Sequence, residues 1–356
     1  MQIQVNNPEF QTIIFGILFL LTLLLSIRKT KFESFFATPK TVELKGFAIL
    51  AIIFSHIGYS LSTNSTFLYP FSILAGVGVN LFLFLSGFGL TLSMLKSPAS
   101  PLSFYKKRLK KLFVPMWMVI SLFLLTDLIF LNRNYPLQTI LQNFFGFFPR
   151  ADVFKDLDSP LWYFTVIAFY YLIYPLLFIR KFTYLSPFLI WLVSFLLLKQ
   201  TLPINPDVIN LYKLHNLAFP IGILFALLLT DQRLIPVRSQ FKKILLSNKV
   251  KYVWILLAAF LASYTSIHSG VGTTITTEQL TSLVTMFLII FIFTLKDFEF
   301  RIFSIFGKYS YEIYLIHWPI LARYGLIYQF LPAYLSTYIY LIIFLSGAYL
   351  LQKLQD

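Results

Sequence analysis

Apolar runs long enough to cross a bilayer recur along the whole chain, and they constrain its fold more than any motif does. A helix needs about 20 residues to cross roughly 30 Å of hydrocarbon. Runs of this kind lie at 9–27, 44–63, 71–95, 112–131, 161–180, 184–199, 211–230, 251–269, 280–295, 310–327 and 333–351. Those at 184–199 and 280–295 are short. The stretch 139–148 is too short to span and reads as an interfacial or re-entrant segment. Lipid cannot satisfy backbone polar groups, so a spanning segment is a helix or part of a closed barrel. Barrel strands alternate apolar and polar residues, whereas these runs are continuous. The expected fold class is therefore all-α, a polytopic transmembrane helix bundle. Only 12% of residues are charged, against roughly 25% in a soluble domain.

The net charge of +15 raises nucleic acid as a partner, but the positions of the charges argue for membrane topology instead. With residues 28–43 placed in the cytoplasm, most of the 29 Lys and Arg fall in cytoplasmic loops. They form clusters around Arg28–Lys40, Lys96–Lys111, Arg180–Lys181, Arg233–Lys251 and Lys296–Lys308, with Lys353 at the end. The opposite side holds Arg133, Arg150, Lys155, Lys199, Lys213 and Arg323. Such a bias sets orientation. It predicts a plasma-membrane protein with the N-terminus outside and the C-terminus cytoplasmic. Nucleic acid is not an expected partner. The first helix has no basic stretch before it and reads as a retained anchor rather than a cleaved signal. There is no cysteine, which excludes disulfides, thiolate metal sites and a Cys nucleophile.

Ionisable residues within spans are candidates for function. Lys45 and His56 share the second helix, eleven residues apart. This is three turns, about 16 Å along one face. Such a pair suits a cytoplasmic anion that is acted on at its far end. The alternative is a snorkelling lysine and a histidine hydrogen-bonded to a neighbouring helix. The run Lys106-Lys107-Arg108-Leu109-Lys110-Lys111 precedes the fourth span, and attraction to the anionic inner leaflet accounts for most of it. Arg108 and Lys111 differ, sharing a helix face three residues apart, and with Lys45 they can form a phosphate-binding cluster. Gly76, Gly78, Ser86, Gly87 and Gly89 read as close helix packing, and Asn80 as a polar contact of the bundle. On the tenth span, Glu312 lies where it can pair with Lys45 or Arg108, and His317 reads as a polar packing residue. His215 and His268 lie near outer helix ends, where interfacial position suffices. No ligand-spaced cluster predicts a metal.

In this order the motifs resemble the membrane-bound acyltransferase 3 family from about residue 40 onward. Glu43-Leu44-Lys45-Gly46 through His56 is similar to the family's first core helix, where Arg and His stand eleven residues apart. Asn80 through Ser86-Gly87-Phe88 resembles its Phe-rich segment ending Ser-Gly-Phe. Phe104 through Lys111 and Pro115 resembles its Arg-x-x-Arg motif with a following proline. Leu161-Trp162-Tyr163-Phe164 with Tyr174-Pro175 matches another block, and Gly307 through Pro319 resembles its late Ser-Tyr-x-x-Tyr-Leu-x-His block. Lys45 and Lys111 depart from the usual Arg, keeping the charge but losing bidentate geometry.

The resemblance implies a ten-helix acyltransferase core over 41–356, with residues 1–40 an added anchor helix and basic loop. It implies acyl transfer from cytoplasmic acyl-CoA, usually acetyl-CoA, to a hydroxyl of a cell-envelope glycan or lipid-linked glycan. His56, with Lys45 beside it, is then the catalytic candidate, acting as general base or as transient acyl carrier. Lys45, Arg108 and Lys111 would hold the donor phosphates. Glu312, His317, Trp162 and Ser86 are further candidates. The rival reading is a secondary transporter or flippase with a histidine proton relay, but the inverted repeats and broken helices common in transporters are not evident in the sequence. A scaffolding subunit would leave Lys45 and His56 without a role.

Overall fold

A computed structural model describes residues 2–30, 36–152, 155–245, 250–268 and 274–355, with only the backbone described at 241–244. Lys31, Lys249, the side chains of Lys242 and Lys243, and the last residue of the 251–269 run lie outside the described residues. The structure is an all-α polytopic bundle. Among the described residues, eight helical segments are long and apolar enough to span, at Pro8–Leu25, Thr38–Leu61, Ala75–Lys96, Pro101–Leu131, Ser159–Leu177, Pro206–Thr230, Ile275–Leu295 and Ala333–Lys353. Leu185–Leu197 and Lys251–Ile267 are shorter apolar helices.

The elements are α1 (Pro8–Leu25), α2 (Thr38–Ser55), α3 (Ala75–Lys96), α4 (Pro101–Leu131), α5 (Leu137–Phe144), α6 (Trp162–Leu177), α7 (Leu185–Leu197) and α8 (Pro206–His215). They continue with α9 (Ala218–Thr230), α10 (Ile235–Leu245), α11 (Lys251–Ile267), α12 (Ile275–Leu295), α13 (Arg301–Lys308), α14 (Ser310–Tyr324) and α15 (Ala333–Lys353). Central α3 packs on α2, α9 and α12. Burial separates core from periphery: 72% of the α2 span is buried, but only 11% of α1. Phe15 and Phe19 of α1 pack on Phe54 and Phe71 and Leu23 on the core, while most of its other large apolar side chains are exposed.

Glycines set the closest crossings. A Cβ on Gly46 would lie 1.8 Å from the Phe303 carbonyl oxygen, and one on Gly307 would lie 1.8 Å from that of Val42. The pair clamps α2 against α13. Gly87 and Gly222 clamp α3 against α9 in the same way, with a Cβ meeting the carbonyl oxygens of Phe219 and Phe84 at 2.3 and 2.1 Å. This is the small-residue packing that membrane helices use in place of a hydrophobic drive.

Contacts between helix ends sort them to two faces. Strand β1 (Ile27–Lys29) pairs antiparallel with β2 (Phe298–Phe300). Lys251 is ion-paired with Asp297, and the Tyr184 hydroxyl donates to Asp231 at 2.7 Å. These ends share the face that carries most of the basic loops, here called the basic face. Ile3 bonds the backbone at Leu61 and Thr63, Arg323 bonds the Leu157 carbonyl, and Gln279 bonds the Lys213 carbonyl. These share the far face. The grouping agrees with the alternation expected from loop charge, including α14 as a crossing.

Several boundaries differ from the sequence expectation, α2 starting at Thr38 rather than 44 and α8 at Pro206 rather than 211. The fourth span begins at Pro101, not 112, because Lys and Arg are good helix formers and Ser100 caps the helix by accepting from the Ser103 amide. The basic run therefore sits on a helix and not in a loop. The short run 280–295 extends back to Ile275, where Thr274 caps it. The run 211–230 is broken at Asn216-Leu217 into α8 and α9. The carbonyls freed there are satisfied: Gln279 donates to those of Lys213 and Leu214, and the Tyr170 hydroxyl donates to that of Asn216. Irregular backbone at membrane depth is tolerated only with such partners or beside a cavity. Segment α5 is eight residues long, too short to span.

Candidate active site

Two cavities approach each other inside the bundle. The one toward the basic face has a volume of about 430 Å³ and is lined by Lys45, Ser86, Arg108, Lys111, Ser310, Glu312, Gln352 and a group of aromatic residues. The one toward the far face, about 340 Å³, is lined by Ser55, His56, Tyr59, Trp162, His215 and Glu278, among others. Phe82, Tyr163 and Tyr314 line both. The Tyr163 ring lies 6.3 Å from Phe82 and 5.5 Å from Tyr314. Together these three rings form a waist between the chambers. The Tyr314 hydroxyl is tied to the Pro160 carbonyl at 2.7 Å, while that of Tyr163 makes no hydrogen bond among the described residues.

Lys45, Arg108 and Lys111 meet in the basic-face cavity, brought there by α2 and the first turns of α4. None of them forms an ion pair among the described residues. Lys106, Lys107 and Lys110, on the other faces of α4, are exposed and do not line it. Glu312 is buried in the same cavity but makes no ion pair with Lys45 or Arg108. The carboxylate that does hold a lysine here is Glu43, bonded to Lys296 at 2.6 Å with both side chains buried. Three uncompensated cations around one concave space suit a polyanion entering from the basic face. Ser86 lies beside Tyr171, 3.4 Å from its hydroxyl.

His56 begins a π-helical turn, His56–Leu61, that continues α2. Such bulges recur at functional sites. Its Nδ1 is 2.8 Å from Nε2 of His317 on α14, and the rings stack nearly parallel at 5.1 Å. The tautomers follow from the partners. His317 Nδ1 faces the carbonyl oxygens of Tyr314 (2.8 Å) and Ile313 (3.1 Å), which only accept. Nδ1 therefore carries the proton, and Nε2 of the neutral ring accepts. His56 must then donate through Nδ1, which leaves its own Nε2 unprotonated and without a hydrogen bond among the described residues. This supplies two parts of the nucleophile–base–orienter arrangement, a base and a backbone-held imidazole that orients it. Sequence spacing places His317 on a packing face, but its contact with His56 spans 261 positions, and no local pattern signals it.

The interfacial position expected for His215 is corrected. The residue is buried beside the helix break, with Nδ1 2.8 Å from Asn80 Oδ1 and its ring stacked on Trp162 at 5.8 Å. His268 is exposed and bonds its own helix at the Tyr264 carbonyl. Asp127, within the α4 span, is ion-paired with Arg323 at 2.9 Å and accepts from Tyr135 and Tyr324. It is held as a structural anion.

A family model described as an acyltransferase domain, that of acyltransferase 3, matches residues 44–353. No curated protein and no solved structure matches the chain. The matched stretch begins beside Lys45, ends in the last helix and contains the described lining of both chambers except Gln355. The chain thus belongs to the acyltransferase 3 family and is a membrane acyltransferase.

Proposed function

We propose that the protein moves an acyl group, acetyl being the expected one, from cytoplasmic acyl-CoA to a hydroxyl of a cell-envelope glycan or lipid-linked glycan at the plasma membrane. The observation that carries this reading is the meeting of a three-cation cavity and a histidine-bearing cavity at one aromatic waist. With the basic face cytoplasmic, as loop charge argues, the phosphates of CoA lie among Lys45, Arg108 and Lys111. The thioester end points through the waist toward His56. The acceptor enters the far-face chamber from outside.

In this scheme His56 Nε2 takes the proton of the acceptor hydroxyl as its oxygen attacks the thioester carbonyl. His56 keeps its Nδ1 proton, donated to His317, so the transient imidazolium is held in place by a neutral acceptor. The Tyr163 hydroxyl is the free donor at the waist and suits the oxyanion that develops. Collapse expels the CoA thiolate, which takes the proton back from Nε2. The ester forms, the thioester breaks, and the histidine pair returns to its starting tautomers. Both substrates reach the same imidazole, which supports direct transfer.

The test is acetyl-CoA turnover by purified protein, together with mass spectrometry of envelope glycans from cells with and without the gene. Thiol release from acetyl-CoA and loss of an acyl group from a glycan are expected. Purified protein that neither consumes acetyl-CoA nor changes any glycan would overturn the reading and favour the transporter alternative.

A further inference from the structure

The far-face chamber holds a second histidine that the transfer scheme does not use. His215 closes α8 at the helix break and is 2% exposed. Asn80 donates its carboxamide nitrogen to Ser282 Oγ at 2.6 Å, which turns its oxygen toward His215 Nδ1 at 2.8 Å. The ring proton is thereby placed on Nδ1. The neutral ring presents Nε2 as a hydrogen-bond acceptor, and no described residue donates to it. The stack with Trp162, tilted by only 17°, fixes the ring plane.

Glu278, in the first turns of α12, lines the same chamber and makes no ion pair among the described residues. No Lys or Arg is among the described lining residues. Arg150, next to the lining Ala151, is paired with Asp156 at 3.2 Å and lines a separate crevice. The chambers therefore differ in kind. One gathers three cations around the single carboxylate of Glu312, while the other offers a neutral acceptor nitrogen and a carboxylate with no cation among its described lining.

We infer that His215 and Glu278 position and select the acceptor, binding hydroxyl or amino donors that flank the reacting hydroxyl, and that the reacting sugar unit is neutral or cationic rather than a uronate or phosphate-bearing sugar. The inference rests on the acyl-transfer reading above. Its physical basis is twofold. A carboxylate in a partly dry cavity repels an anionic substituent far more than it would in water. Two acceptor-only groups also match the donor-rich edge of a polyol.

The experiment uses full-length protein in nanodiscs, radiolabelled acetyl-CoA and three oligosaccharides of one linkage ending in glucose, glucosamine or glucuronate. The glucuronate form should show a kcat/KM at least about tenfold below that of the glucose form, the scale of losing one charge-assisted contact. Glu278→Gln should bring that ratio near one, and Glu278→Lys should invert it. His215→Phe keeps the stack on Trp162 but removes both nitrogens. It should raise the KM for the oligosaccharide roughly ten- to hundredfold, with a far smaller change in the KM for acetyl-CoA. Glucuronate used as readily as glucose, with a ratio unmoved by Glu278→Gln, would overturn the inference. So would a His215→Phe enzyme whose two KM values rise together. Wild-type protein that releases no thiol from acetyl-CoA would instead overturn the acyl-transfer reading itself.

Discussion

In the proposed scheme His56 works through an atom that its neighbour selects. Two backbone carbonyls fix the His317 proton on Nδ1, and that choice fixes the His56 proton in turn. His56→Gln retains hydrogen bonding but cannot exchange a proton at neutral pH, so it should lower transfer by about 10²–10⁴ while acetyl-CoA still binds. His317→Ala frees the His56 tautomer and should lower kcat at least about tenfold at unchanged KM for acetyl-CoA. His317→Gln can donate to the same carbonyls and accept from His56, so it should recover part of that loss. Equal activity of both His317 variants and wild type would show that the pair is packing alone. Asp158, at the mouth of the far face, makes a separate prediction. Both of its carboxylate oxygens are buried without a hydrogen bond among the described residues, and burial pushes its carboxyl well above the usual carboxylate range, only partly opposed by Arg323. A carboxyl raised in the folded state contributes stability below about pH 4, its unfolded value, and loses it as pH climbs through the folded value. Asp158→Asn should therefore raise the melting temperature, by a margin that grows from pH 4 to pH 8. A margin that is flat with pH would contradict the assignment. The eleven-residue interval from Lys45 to His56 was readable from helix periodicity. The His56–His317 and His215–Asn80 contacts were not, because each joins residues more than 130 positions apart.

At the scale of elements, α2 carries the chemistry of the proposed scheme, and its neighbours hold it in register. Glu43, two residues before Lys45, accepts from Lys296 Nζ and from the Phe300 amide at 2.7 Å, which ties the start of α2 to β2. The Gly46–Gly307 crossing presses the next turn onto α13. Removing one partner of a buried ion pair costs about 3–5 kcal/mol, while replacing both with neutral groups is often tolerated. Lys296→Met alone should therefore lower the melting temperature sharply, and Glu43→Gln added to it should restore much of the loss. A double variant no more stable than Lys296→Met would mean that Lys296 acts through its contacts with Phe298 and its neighbours instead. Helix periodicity does not show the break between α8 and α9. Its apolar run is continuous, and only the donors Gln279 and Tyr170, from other helices, make the interruption affordable.

Over the whole molecule, the two faces differ in charge and the two chambers in chemistry, which gives the bundle a direction. If the basic face is cytoplasmic, a cysteine at Ser97 should be shielded in intact cells and one at Thr274 should react with an impermeant thiol reagent. The native chain has no cysteine to interfere. The reverse pattern would place the cation cavity outside and remove cytoplasmic acyl-CoA as the donor. Fold class and the alternation of helix ends were determined by the sequence alone, which also singled out Lys45, His56, Arg108 and Lys111 as candidates. The reason is that the bilayer imposes them locally: an apolar run of sufficient length must be a helix, and a charge within it must be explained. What the tertiary structure decided is which buried polar groups meet. Glu312 lies free of Lys45, Asp127 is held by Arg323, His317 orients His56, and His215 turns from an interfacial residue into a chamber wall. Desolvation makes every buried polar group seek a partner, but the sequence leaves the choice of partner open. Only the packing of helices distant along the chain determines which donor faces which acceptor.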